Sequence, residues 1–178
     1  TLRSLRALEL PEPLRVCLTA QLDALDGLYC QIRILDQQIV ALSRGEASHD
    51  RCALLRHIPG VGRLTAMAFL LEIFRPHEFE TAEALAAHVG FTCCEWSSSS
   101  RRRLGHITHW GSPILRRLLI EAAWSWVRKD PQAKRQFETI CAHSKRRKIA
   151  IVGMARCLAI VMWAMTVRQQ EYAYRWAA

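Results

Sequence analysis

Leu14, Leu18, Leu22, Leu25, Leu28, Ile32, Leu35, Ile39 and Leu42 step along the chain by threes and fours. That spacing follows the 3.6-residue period of an α-helix and is incompatible with the strict alternation of a half-buried strand. Sustained over about four heptads, it predicts a long coiled-coil-like helix over residues 13–42. The apolar seam can pair with a second chain or fold back on its own, and periodicity does not choose between the two. Residues 44–50 break the pattern, with Gly45 as a stop and Ser48 or Asp50 as the next cap.

Helical spacing recurs through the rest of the chain, and strand signals are almost absent. Short helices are expected over residues 51–57 and 64–74. Another begins at Thr81, with Glu80 and Glu83 near its positive end, and stops at Gly90. Pro113 suits the first turn of a helix over residues 112–129. Asp130-Pro131 breaks that helix and opens the next, and a last helix is expected over residues 145–172. No internal repeat is evident. The reading is an all-α chain: a coiled-coil connector over residues 1–50, then a globular helical domain over 51–178. Within that domain lie a helix-hairpin-helix at about 51–74, a Ser/Arg loop at 91–111 and a helical bundle at 112–172.

A chain of 178 residues that is 51% hydrophobic and 23% charged can bury a core, and disorder is excluded. The net charge of +9 points to a polyanionic partner, nucleic acid before membrane. The apolar run at 149–167 is interrupted by Arg156 and preceded by cations, so it reads as a buried core helix and not a membrane span. Seven cysteines, odd in number and without a C-x-x-C pair, fit free thiols in a reducing cytoplasm. The chain opens on Thr1 with no signal peptide, which suggests that sequence lies upstream.

Chemistry concentrates in two places. Ile58-Pro59-Gly60-Val61-Gly62, between two short helices, has the form of a helix-hairpin-helix turn. Two glycines let such a turn present backbone N–H groups, the following helix adds its positive end, and a phosphate can dock there. Arg63 and Thr65 are placed to add a charge and a hydroxyl. The plainer reading is a tight turn whose glycines only meet a φ requirement. The second place is Glu95-Trp96-Ser97-Ser98-Ser99-Ser100-Arg101-Arg102-Arg103, four hydroxyls against three guanidinium groups. Arginine binds phosphate with two parallel hydrogen bonds, and a serine beside such a cluster suggests chemistry on a phosphodiester or a firm grip on one. The plainer reading here is a solvated polar loop. Arg116, Arg117, Lys145, Arg146, Arg147 and Lys148 extend the cationic footprint. The six tryptophans are mostly core candidates, with Trp96 and Trp110 flanking the loop where a base could stack. Cys93, Cys94, His106 and His109 lack the ligand spacing of a zinc site, and the dispersed acids offer no two-metal centre, so no metal or cofactor is expected in this chain.

Residues 58–73, 85–91 and 95–123 together resemble the C-terminal domain of insertion-sequence transposases of the 110/116/902 group. The shared features are the I-P-G-V-G hairpin, the serine pair Ser97-Ser98, and the run Arg103-Leu104-Gly105-His106-Ile107-Thr108 leading to Leu115-Arg116-Arg117-Leu118-Leu119 and Glu121-Ala122-Ala123. The helix over residues 148–165 also resembles the last helix of the family. The chain departs from the pattern where Ser99 and Ser100 replace glycines, Cys93 a proline, His109 a lysine and Ser112 an asparagine.

The resemblance implies a DNA recombinase in which a loop serine, Ser97 or else Ser98, attacks a phosphodiester and forms a phosphoserine link. It implies an upstream RuvC-like domain, absent from this chain, whose acidic residues bind Mg2+. It also implies DNA and a structured guide RNA as partners, homo-oligomerisation through the coiled coil, and a bacterial cytoplasmic, nucleoid-associated setting. On that reading Arg101, Arg102, Arg103 and Arg116 screen the phosphate while Gly60 and Gly62 anchor the backbone. Without the upstream domain the chain is a fragment or the product of a decayed gene, and is expected to bind nucleic acid without recombining it. The alternative is a non-catalytic helix-hairpin-helix module that binds nucleic acid with the same groups. A purely structural coiled-coil dimeriser conflicts with the charge.

Overall fold

The computed structural model describes residues 2–46, 48–95, 104–108 and 110–172. The chain divides into two compact units, Thr1–Leu42 and Ser43–Ala178.

In the first unit, α1 (Leu2–Arg6) is followed by the long α2 (Glu12–Ser43). Arg6 ties the two together, its Nη2 lying 2.7 Å from carboxylate oxygens of both Asp23 and Asp26. Leu22 is buried next to that clamp, whereas Leu14, Leu28, Ile32, Leu35 and Leu42 are exposed. Part of the apolar seam is therefore covered within the chain, and most of it is left open.

The second unit contains six further helices among the described residues: α3 (His49–Leu55), α4 (Arg63–Glu72), α5 (Ala82–Val89), α6 (Pro113–Lys129), α7 (Pro131–Ser144) and α8 (Arg147–Arg168). Their ends follow local chemistry. Thr81 accepts a hydrogen bond from the Ala84 N–H at the start of α5, and Gly90 ends that helix in the left-handed region at φ 81°. Ser112 caps α6 ahead of Pro113. Asp130 Oδ1 accepts from the N–H groups of Gln132 and Ala133 ahead of Pro131 in α7.

α8 is the axis of this unit and packs against α3, α5, α6 and α7. It is long and apolar enough to cross a membrane, but 61% of its most apolar window is buried inside the fold. Ile151, Met154, Leu158, Val161, Met162 and Met165 are buried from all sides, as expected of a helix with no polar stripe. Trp163 fixes its far end by donating from Nε1 to the Pro76 carbonyl at 2.7 Å.

Two short strands fall within the segment expected as the Ser/Arg loop, 91–111. Residues Cys93–Glu95 (β1) and Leu104–Ile107 (β2) pair antiparallel, with Cys93 opposite Ile107 and Glu95 opposite Leu104. Beyond the pair, the Thr108 N–H donates to the Thr92 carbonyl at 2.8 Å. Strands this short have too few residues to show alternation, and their stability comes from the pairing itself, which is non-local.

Candidate nucleic-acid interface

The turn between α3 and α4 gives its two glycines different tasks. Gly60 has φ +99°, and a Cβ there would lie 2.7 Å from the Trp126 backbone N and 3.0 Å from the Ala122 carbonyl oxygen. Its missing side chain is what lets the turn sit directly on α6. Gly62 is the N-cap of α4, with φ −88°, and nothing lies within 4 Å of a Cβ built on it. That end of α4 has no side-chain cap, and Gly62 is exposed, so the first amides of the helix are left for an external acceptor. Arg63 is half-buried, and its Nε is buried without an acceptor. Thr65 is buried among the core residues at 8% exposure, so its hydroxyl is not presented to a ligand. The third residue past the hairpin falls on the inward face of α4. Below the turn, burial pushes the Cys52 thiol up from its ordinary pKa, although Arg56 and Arg63 pull the other way. A protonated thiol of that kind is inert.

The second feature is the root of the Ser/Arg segment. Ser97, Ser98, Arg101, Arg102 and Arg103 lie outside the described residues, as do Trp96 and His109. The chain leaves β1 at Glu95 and returns in β2 at Leu104. After β2 it lies against the C-terminus of α5: Gly90 faces the Trp110 carbonyl, and Gly111, at φ +82°, faces the His88 carbonyl. A methyl group at either glycine would collide with backbone. Arg116 clamps this junction, donating from Nη1 to the Trp110 carbonyl at 2.5 Å and to the Val89 carbonyl at 3.4 Å. Arg116 is therefore engaged with backbone at the root of the loop, and its neighbour Arg117 is the exposed cation. Trp110 is 80% exposed beside that root. Cys93 is exposed and Cys94 half-buried, and among the described residues no three His, Cys, Asp or Glu side chains are grouped to hold a metal ion.

The third feature is a pair of adjoining clefts along α6, α7 and the start of α8. One is lined by Arg116, Arg117, Glu121, Trp124 and Arg128, and the other by Trp124, Arg128, Lys134, Glu138 and Arg147. Together they present five cations against two carboxylates, an excess that favours an anionic ligand. Lys145, Arg146 and Lys148 are exposed beside them, with Lys145 in the left-handed region at φ 53°. Arg128 and Lys134 belong to no motif in the sequence, and Trp124, one of the tryptophans expected in the core, is half-buried in the wall of both clefts. The signal was present in the spacing of 117, 124 and 128, which share one face of α6 at 100° per residue.

An all-α module with an open glycine turn, a clamped loop root and an excess of exposed arginine and lysine presents the class of surface that suits a polyanionic ligand. Comparison with known proteins narrows the class. Residues 52–138, from α3 into α7, match the model of the transposase IS116/IS110/IS902 family. The chain is 30% identical over 149 residues to a putative transposase of Sinorhizobium fredii, across 82% of this chain and 38% of that protein. A probable family 20 transposase of Pseudomonas aeruginosa is 29% identical over 166 residues, across 92% of this chain and 48% of the relative. The transposase for insertion sequence element IS1111A of Coxiella burnetii is 31% identical over 129 residues, across 70% of this chain and 35% of the relative. These matches support the IS116/IS110/IS902 transposase family for this chain, which spans between about a third and a half of the length of these relatives.

Proposed function

We propose that this chain is the C-terminal part of an insertion-sequence transposase of the IS116/IS110/IS902 family, binding DNA through the helix-hairpin-helix turn and the cationic clefts. The observation that carries the reading is a coincidence of position. The family match spans residues 52–138, the same stretch in which the hairpin, the loop root and α6 are packed together.

Ser97, with Ser98 as the alternative, is the nucleophile of this proposal. Its Oγ attacks phosphorus, the P–Oγ bond forms as the bond from phosphorus to a sugar oxygen breaks, and the proton released by the serine hydroxyl passes through solvent to the departing sugar oxygen. One phosphodiester is exchanged for another, so rejoining the strands needs no external energy source. Arg101, Arg102 and Arg103 stabilise the charge on the phosphoryl oxygens. Arg116 acts indirectly in this scheme, by holding the root of the loop, and Arg117 supplies the neighbouring external charge. Mg2+ belongs to a RuvC-like domain outside this chain, a structured guide RNA is the second nucleic-acid partner, and the exposed part of the α2 seam joins copies of the protein. The setting is the bacterial cytoplasm, in association with the nucleoid. The substitution of Ser99 and Ser100 for flexible glycines favours a second reading, a module that binds nucleic acid by the same surfaces without cleaving it.

Covalent trapping separates the two. The chain, alone and with a RuvC-like domain from a relative, is incubated with Mg2+, guide RNA and element-end DNA, then denatured and mapped by mass spectrometry. An adduct on Ser97 or Ser98, lost in the matching alanine variant, is the expected result. Tight, salt-sensitive binding without an adduct establishes the second reading.

A further inference from the structure

Arg117, Trp124 and Arg128 stand at i, i+7 and i+11 on α6, within about 40° of one line along the helix, and span about 16 Å at 1.5 Å per residue. Across the cleft from them lie Lys134 on α7 and Arg147 at the start of α8. Trp124 is half-buried at the junction of the two clefts, and Phe137 braces it edge-on at 5.7 Å with an interplanar angle of 60°. The Arg147 guanidinium carbon lies over the same indole, 6.0 Å from its centroid.

That last distance is too long for a guanidinium stacked in contact with the ring. It lies at the outer reach of a cation–π contact, so a planar group entering between ring and guanidinium would have only to widen it. Two stacking gaps of about 3.4 Å, the base spacing of a nucleic-acid strand, require about 6.8 Å. A long, exposed arginine side chain can supply the missing ~0.8 Å by a small change of rotamer. The cations on either side run along a path long enough for about four or five nucleotides at the same spacing. Glu121 and Glu138, which would repel a bare phosphate track, can instead accept hydrogen bonds from the amino groups of unpaired bases. In a duplex the faces of the bases are already stacked and unavailable to an indole. An aromatic ring set among cations suits a single strand.

We propose that the α6–α7–α8 cleft is a single-strand binding site in which one unpaired base inserts between Trp124 and Arg147 while Arg117, Arg128 and Lys134 hold the flanking phosphates. It rests on the nucleic-acid reading above and deepens it, by assigning the clefts named there to an unpaired strand.

The test compares three fluorescein-labelled ligands by anisotropy with the full 178-residue chain. They are an oligothymidylate, the same oligomer with its central nucleotides abasic, and a duplex, all with matched phosphate number. The base-bearing strand is expected to bind about tenfold more tightly than the abasic strand, the worth of one stacked base. Trp124→Leu should bring that ratio close to one, while Trp124→Phe keeps part of it. Arg128→Ala and Lys134→Ala should weaken both single strands alike and lower the salt slope by about 0.7 each. Equal affinity of the unmodified chain for the base-bearing and abasic strands overturns the site without recourse to any variant. A preference for duplex that Trp124→Leu leaves unchanged also overturns it, while leaving the nucleic-acid reading intact. Failure to bind any of the three ligands removes both.

Discussion

The two glycines of the hairpin, alike in the motif, should respond in opposite ways to the same added methyl group. In Gly60→Ala the new Cβ meets the Trp126 backbone N at 2.7 Å and the Ala122 carbonyl at 3.0 Å, and both atoms belong to α6 and cannot rotate away. The φ of +99° adds backbone strain that only glycine escapes. A strained φ costs about 1–3 kcal/mol and overpacking about 1–3 kcal/mol more, so the variant should lose about 2–6 kcal/mol. A domain of this size has about 5–15 kcal/mol in total, and each kcal/mol is worth about 4 °C, so its Tm should fall by about 8–24 °C. In Gly62→Ala the Cβ meets nothing within 4 Å, and φ is −88°. Loss of a good N-cap is roughly offset by the lower entropy of the unfolded chain, so stability should stay within about 0.5 kcal/mol. DNA affinity should nonetheless fall in Gly62→Ala, because the methyl group stands in front of the open amides of α4. Thermal unfolding followed by circular dichroism, with DNA anisotropy at fixed salt, reads both effects. A Gly60→Ala protein as stable as the parent would refute the assignment of that glycine to packing against α6. Unchanged affinity in Gly62→Ala would refute the assignment of the other to phosphate.

Three further outcomes follow from the geometry. Arg116→Ala removes both hydrogen bonds to the Trp110 and Val89 carbonyls and should cost about 1–3 kcal/mol in urea unfolding, whereas exposed Arg117→Ala should change stability by less than about 0.5 kcal/mol and lower the salt slope of DNA binding by about 1. Asp130→Ala loses the cap of α7 and the 2.7 Å hydrogen bond from Tyr172, for about 2–3 kcal/mol, and Asp130→Asn should recover the cap; equal losses in the two variants would exclude capping as the cause. Burial holds the Cys52 and Cys157 thiols above their ordinary pKa, so the unfolded chain ionises first. The stability they contribute is complete below about pH 8.5 and declines as pH rises from there toward the folded values. Iodoacetamide under native conditions should label the exposed Cys17, Cys30 and Cys93 while sparing Cys52 and Cys157, as mass spectrometry can verify.

What was legible in the sequence was set by local chemistry. Thr81, Gly90, Ser112-Pro113 and Asp130-Pro131 mark helix ends because capping and φ restriction act within a few residues, and the ends fall at those positions. The apolar run of α8, interrupted by Arg156, marks it as a buried core helix by composition alone. The β1–β2 pair escaped because its stability depends on partners nine to fourteen positions apart. Thr65 was assigned to the wrong face because a ten-residue helix offers too few turns to fix its phase by inspection.

Trp124 shows the limit of periodicity most clearly. Spacing places it on one face of α6 with Arg117 and Arg128, but whether that face is core or cleft depends on which helix lies over it. Here α7 meets the indole with the edge of Phe137, and the Arg147 guanidinium carbon stands 6.0 Å from its centroid. Gly60 carries a similar ambiguity in the opposite direction. A glycine in a phosphate-binding turn and a glycine where a turn rests on a helix are the same letter, and only the position of α6 distinguishes them. A motif therefore specifies which backbone conformations are available at each position. The packing around it decides which of those positions are left to meet a ligand.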